Sequence, residues 1–235
     1  MKLQVLFDRE AVKEGLNTGW GLSFILDSHI LFDTGEKFEY IRDNAAALNV
    51  DLNLVDTVVI SHEHWDHING LWGILQMRKG MKVYGCPGMS KEFIDKVHEA
   101  GGTFEEAGLK TQIADRVFIL GENRVIYKGK GLSEQMLVIE NDTDLSLICA
   151  CCHPGIVNIV HKAANVFGKK VAVVAGGMHM IDKDQRFNRY SISEMKMFVD
   201  KVYSSHCTGH DAQEILKEFY GDKADVLKTG MEIEL

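Results

Sequence analysis

The sequence predicts an α/β fold (α+β in its layering), with mixed β-sheets and helices outside them. Two observations predict it. Short apolar runs of strand length alternate along the chain with stretches of helical spacing. Histidines and acids recur just behind the apolar runs, where such scaffolds carry their functional loops. The 235 residues, 46% hydrophobic, are long enough to bury one substantial core. No Pro/Ser-rich linker, repeat or low-complexity tract divides them, so a single domain over residues 1–235 is expected.

Taken in order, residues 3–7 (LQVLF), 21–28 (GLSFILDS) and 29–35 (HILFDTG) read as strands, with a tight reversal at Asp27-Ser28. Residues 37–50 place Phe38, Ile41, Ala45 and Leu48 at three- and four-residue spacing, an amphipathic helix. LVDTVVI (54–60) is an apolar strand, 70–80 a helix and 81–88 a strand. Residues 90–102 form a helix with Ser90 as N-cap and a Gly-Gly stop. Strands follow at 116–122, 135–141 and 145–155, the last two joined by a turn through Asp142-Thr143-Asp144. A helix at 156–170 leads to a buried strand and glycine turn at 171–180. Ser191 and Glu194 have capping-box spacing and open a helix. A strand end and loop at 202–211, a helix at 211–221 and a terminal strand pair at 224–235 complete the chain.

The formal net charge is −8, without a basic block, which argues against nucleic acid as partner. No window has the roughly 18 apolar residues of a membrane span, and the N-terminal stretch lacks a signal-peptide core. A soluble, cytoplasmic protein with no membrane partner is expected. The five cysteines, Cys86, Cys149, Cys151, Cys152 and Cys207, are odd in number and three of them crowd into one strand-like segment, so a disulfide framework is not expected.

The chemistry concentrates in SHEHWDHING, residues 61–70. His62, His64, Asp66 and His67 form an H-x-H-x-D-H pattern. Alternate residues of an extended segment point the same way, so His62 and His64 converge on one point, while Asp66 and His67 lie around a turn and face a second. Imidazole and carboxylate donors suit zinc, iron(II) or manganese. One segment cannot close a four-coordinate shell, so further histidines must come from distant strand ends. Four qualify: His153 in CCHPG, His179 in GGMHM, and His206 and His210 in SSHCTGH. His29, His98 and His161 receive no role.

On these residues the sequence resembles the metallo-β-lactamase superfamily, whose signature is H-x-H-x-D-H after a strand. ILFDTG supplies Asp33, matching an early strand-end acid that braces the metal loop. DHINGL resembles the usual D-H-x-G-G-L, with Asn69 replacing a glycine. WGLSFIL, ILFDTG, SHEHWDHINGL, CCHPGIVNIV, GGMH and HCTG follow the order of one branch, the metal-dependent hydrolases of beta-lactamase superfamily II. That branch includes dihydropterin-ribofuranosylaminobenzene phosphate synthases. The likeness runs over residues 22–216. It implies an αββα sandwich of two mixed sheets with outer helices and a binuclear site. In that site His62, His64 and His153 hold one metal, and Asp66, His67 and His206 the second. The family's further acid is absent; Gly176 or Gly177 stands in its place, and His179 is a substitute ligand or a substrate contact. Cys151, Cys152 and Cys207 adjoin presumed ligands, so thiolate ligation enters, although a ligand's neighbour in a strand normally points away.

The expected activity is metal-dependent hydrolysis of an ester in a small anionic substrate, a phosphoester first. One or two divalent ions per chain are expected, zinc first, with iron or manganese as the alternatives. Metal binding lowers the pKa of water to about 7, giving hydroxide at neutral pH. Asp66 would orient it, and His179 or His210 would stabilise the oxyanion or protonate the leaving group. Trp65, the loops at 85–90 and 178–190, and Arg186 or Arg189 are candidates for the substrate mouth. An iron-dependent oxidoreductase and a pterin or phosphoribosyl-type synthase are the alternative readings.

Overall fold

The computed structural model describes all 235 residues. The chain forms two compact units, Met1–Ala107 with Lys228–Leu235, and Gly108–Leu227. The first contains β1 (Lys2–Phe7), β2 (Ser23–Leu26), β3 (Ile30–Phe32), α1 (Phe38–Ala47), β4 (Thr57–Val59), α2 (Trp65–Ile68), α3 (Leu71–Met77), β5 (Lys82–Gly85), α4 (Lys91–Glu99) and β6 (Thr103–Glu106). The second contains β7 (Lys110–Ala114), β8 (Val117–Tyr127), β9 (Lys130–Glu140), β10 (Asp144–Cys149), α5 (Ile156–Phe167), β11 (Lys170–Gly176), α6 (Gln185–Lys196), β12 (Lys201–Ser204), α7 (His210–Tyr220) and β13 (Ala224–Val226). Strand β14 (Glu232–Glu234) returns to the first unit.

Each unit holds one seven-stranded sheet, ordered β14-β1-β2-β3-β4-β5-β6 and β13-β12-β11-β10-β9-β8-β7. Both are mixed. In the first, β14 to β3 pair antiparallel and β3 to β6 parallel. In the second, β13 to β10 are parallel and β10 to β7 antiparallel. The parallel halves require crossover connections, which the helices supply. They also leave a row of strand C-terminal ends, the usual place for ligand-binding loops in such sheets.

The expected α/β class with two mixed sheets and flanking helices is what the chain adopts. In the first unit Leu6, Ile25, Leu31, Val58 and Val83 from the strands pack with Ile41, Ile74, Leu75, Phe93 and Val97 from α1, α3 and α4. In the second, Val138, Leu147, Val174 and Val202 pack with Ile159, Val160, Ile192, Met195 and Ile215 from α5, α6 and α7. Burying each such side chain is worth about 1.5–3 kcal/mol. No helix is long and apolar enough to cross a membrane.

Three local expectations need correction. Helix α6 opens at Asp184, whose side chain accepts from the Phe187 N–H at 2.8 Å, and not at Ser191. Ser191 is buried inside that helix beside Ile192, so half of the supposed 178–190 loop is helical. The terminal strands do not pair with each other: β13 joins β12, and β14 joins β1. Strands β6 and β7, whose sequences TFEE and KTQIA alternate with polar residues, were not expected at all. By contrast, Ser90 caps α4 as its sequence indicated. Asp27 and Ser28, both at positive φ, make the tight reversal between β2 and β3.

Replacing Asp184 by alanine removes the α6 cap and is expected to cost about 1 kcal/mol. A fall in the urea midpoint with unchanged slope would show it.

Candidate metal centre

Asp33 follows β3, the neighbour of β4, and its N–H bonds to Val59 O at 2.9 Å. Its carboxylate accepts from Ser61 N at 2.7 Å, Ser61 Oγ at 2.6 Å and His67 Nδ1 at 2.7 Å. Thr34 donates N–H and Oγ–H to His67 O, both at 2.8 Å. The loop that follows β4 is thereby gripped at both ends. Gly70 belongs to the same clasp, since a Cβ there would lie 2.0 Å from Thr34 O.

Inside this loop His62 Nε2 and His64 Nδ1 face each other at 2.9 Å, and Ser61 Oγ meets His62 Nδ1 at 2.8 Å. Asp66 and His67 lie on α2 rather than in a plain turn, with Asp66 Oδ2 3.5 Å from His67 Nε2. Imidazoles packed this closely, with the His62 and His67 ring centroids 4.3 Å apart, repel one another as cations and are favourable around a metal ion. Glu63 turns away, accepting from Ser90 N and Oγ at 2.5 Å. Trp65 is exposed.

The second unit brings its own set to the C-terminal ends of β10, β11 and β12. Continuing the antiparallel register Leu137↔Ile148 sets Glu134 of β9 opposite Cys151. The buried Glu134 carboxylate accepts from the N–H groups of Cys151 at 3.2 Å, Cys152 at 2.6 Å and His153 at 2.7 Å, and meets His153 Nδ1 at 3.0 Å. His179 packs against His153 with centroids 4.3 Å apart and the rings tilted by 39°, and Tyr127 lies edge-on to both rings. The buried His206 follows β12 on a 3₁₀ turn. Cys151 and Cys207 are buried, and Cys207 Sγ accepts from the His179 N–H at 3.3 Å.

His153 and His67 each have Nδ1 held by a buried carboxylate, which fixes the tautomer and directs Nε2 outward as a ligand atom. Burial pushes the Asp33 carboxyl up, with the His67 imidazole and the Ser61 donors pulling against it. Burial also opposes ionisation of Glu134, but there the His153 and main-chain hydrogen bonds prevail and hold the carboxyl below its usual range. Burial likewise raises the Cys207 thiol, yet its contacts with Cys151 and His179 outweigh it and bring it to about 6. The Cys152 thiol is raised well above its ordinary value by burial and by Cys149, and it packs in the core.

Not every candidate is built into these sets. The His210 side chain is 81% exposed and faces Glu214 at 3.7 Å. Arg189 makes a bidentate pair with Glu218 at 2.7 and 2.5 Å, and Arg186 lies on the exposed side of α6. Conversely, Glu134, Tyr127 and Ser61 escaped the sequence reading. None of the three carries a signal in residue type or spacing; Glu134 lies mid-strand in β9 among other polar residues.

Sheets of this topology with H-x-H-x-D-H behind a parallel strand define a metallo-β-lactamase fold. A model of the beta-lactamase superfamily domain matches residues 28–114. A 7,8-dihydropterin-6-methyl-4-(beta-D-ribofuranosyl)-aminobenzene-5'-phosphate synthase from Methanocaldococcus jannaschii is 28% identical, over 89% of this chain and 88% of its own. The crystal structure of a metal-dependent hydrolase of the beta-lactamase superfamily superposes with TM-score 0.84 at 26% identity, over 100% of this chain and 99% of that one. The metallo-beta-lactamase fold protein YhfI from Bacillus subtilis shares the fold at TM-score 0.69 and 13% identity, over 99% of both chains. The chain has the metallo-β-lactamase fold.

Glu134→Ala leaves three main-chain N–H groups without their acceptor. At about 1–3 kcal/mol for each, a loss of at least about 3 kcal/mol in urea unfolding is expected. A loss under about 1 kcal/mol would show that the carboxylate does not organise residues 151–153.

Proposed function

We propose that the chain is a metal-dependent hydrolase acting on an ester bond of a small anionic substrate, a phosphoester ahead of a carboxylic ester or lactone. The observation that carries the reading is the convergence of His62 Nε2 and His64 Nδ1 at 2.9 Å, beside an Asp66–His67 pair braced by a buried acid. Such a donor set, imidazole nitrogen with one carboxylate, fits zinc, iron(II) or manganese. In this reading His62, His64 and His153 hold one ion, and Asp66, His67 and His206 a second.

A bound divalent ion supplies Lewis-acid charge and lowers the pKa of water to about 7. The chain's own residues do the rest. Asp66, on the first turn of α2, accepts a hydrogen bond from the attacking water and fixes its direction. Asp33 and Glu134 keep His67 and His153 in the tautomer whose Nε2 is available. Trp65, exposed on α2, offers aromatic surface to the substrate. The phosphoester preference is supported by the phosphate carried in the name of the Methanocaldococcus jannaschii relative. That name also supports a second reading, a synthase that condenses two substrates, since the likeness extends over 89% of this chain.

The test is elemental analysis of protein purified without added metal. It is coupled to assays of wild type and His64→Ala on aryl phosphodiester, phosphomonoester and lactone substrates. Near-stoichiometric zinc or manganese is expected, with hydrolysis falling at least about a hundredfold in the variant. Absence of tightly bound metal from the wild type would overturn the reading. Turnover only when a second substrate is supplied would select the synthase.

A further inference from the structure

Parallel strands β10, β11 and β12 are neighbours, and the segments behind them deliver Cys151, His179 and Cys207 to one place. One ligand atom of each lies within 4.8 Å of the others. Both thiols are buried, at 3% and 2% exposure. His179 Nδ1 is buried without a hydrogen-bond partner, an expensive condition for an imidazole nitrogen unless something else satisfies it. His179 holds a left-handed φ of 47° and His206, just before Cys207, one of 46°. Such backbone is disfavoured for a non-glycine residue and is typical of functional sites.

The glycines explain why sulfur is used here. A Cβ on Gly176 would lie 1.8 Å from Cys149 O, at φ +118°, and one on Gly177 would lie 2.1 Å from Ala150 O. Neither position can carry an acid without moving β10. The Gly177 Cβ would also come within 2.8 Å of Cys207 Sγ. The thiol thus occupies the space into which a side chain at 177 would grow.

We propose that Cys151, His179 and Cys207 form a sulfur-containing metal site that replaces the acid absent from 176 and 177, and that its ion is zinc or iron(II). Two thiolates and one imidazole form a soft set, suited to these ions and poorly suited to magnesium, calcium or manganese. Tetrahedral zinc, about 2.3 Å from sulfur, spaces its ligands about 3.8 Å apart, so side-chain adjustment closes the set. Each thiol that ligates gives its proton to solvent, so loading releases up to two protons per ion. The site deepens the hydrolase reading but uses residues of the second unit alone, and it gives His179 to the ion rather than to proton transfer.

The test is cobalt(II) titration of the full chain after chelation in reducing buffer, followed by absorption. A thiolate-to-cobalt charge-transfer band in the near ultraviolet is expected in wild type, removed by zinc and retained in Cys86→Ala. In Cys207→Ser the band should shrink and cobalt affinity fall at least about tenfold. Alkylation mapped by mass spectrometry supplies a readout on wild type alone: zinc should protect Cys151 and Cys207. Cobalt bound with visible d–d absorption but no thiolate band, and no protection by zinc, would overturn the sulfur site and leave the histidine centre standing. No cobalt bound at all would overturn both.

Discussion

A carboxylate cut off from water is tolerated only where hydrogen-bond donors replace its hydration, and both candidate loop systems are organised around one. Asp33 draws in Ser61 and His67, and Glu134 draws in three successive N–H groups and the ring of His153. The need runs in both directions. The loops at 61–67 and 151–153 leave regular strand geometry, so their main-chain donors have no ladder partner and require an acceptor. The acid meets that need and sets the ring orientation in the same step. The two acids differ in how completely this succeeds: at Asp33 burial remains the stronger influence, whereas at Glu134 the donors prevail.

The cost of these loops is visible in the backbone. Asp33, Cys152, His179 and His206 all sit at positive φ, each behind a strand of a parallel half-sheet. None is a glycine, so each position is held by its surroundings against an intrinsic penalty of about 1–3 kcal/mol. The two apolar clusters beneath the sheets are large enough to offset this. Rigid strands and packed helices are what allow short, strained loops to hold polar side chains in fixed directions.

The histidine loop was legible because its logic is local. H-x-H-x-D-H sets its candidate donors within six residues, and Asp33 follows a strand adjacent in sequence. Glu134 was not legible, because its partners lie 17 to 19 residues away and meet it only through the register of β9 on β10. Periodicity found most elements, yet the Ser191–Glu194 pair satisfied a capping rule inside a helix that Asp184 had already begun. Burial decided there, because Ser191 lies on the core face. The rule that a ligand's neighbour points away assumes regular strand backbone. The left-handed turns at Cys152 and His206 break that alternation, which is how Cys151 and Cys207 come to stand beside His179.

The glycines at 176 and 177 bear on the chemistry as well as the shape. A carboxylate there would add a hard, anionic oxygen donor, leaving an ion strongly electrophilic towards phosphate or carbonyl oxygen. Close approach of β10 to β11 forbids it, and the donors nearest that space are thiol sulfur and imidazole. Sulfur gives more charge to an ion than oxygen does, so an ion held there is less acidifying and more selective in its identity. The division of labour follows from that difference. On the proposed reading, the oxygen- and nitrogen-bearing set on the 61–67 loop suits water activation, and the sulfur-bearing set behind β10, β11 and β12 suits retention of a softer ion.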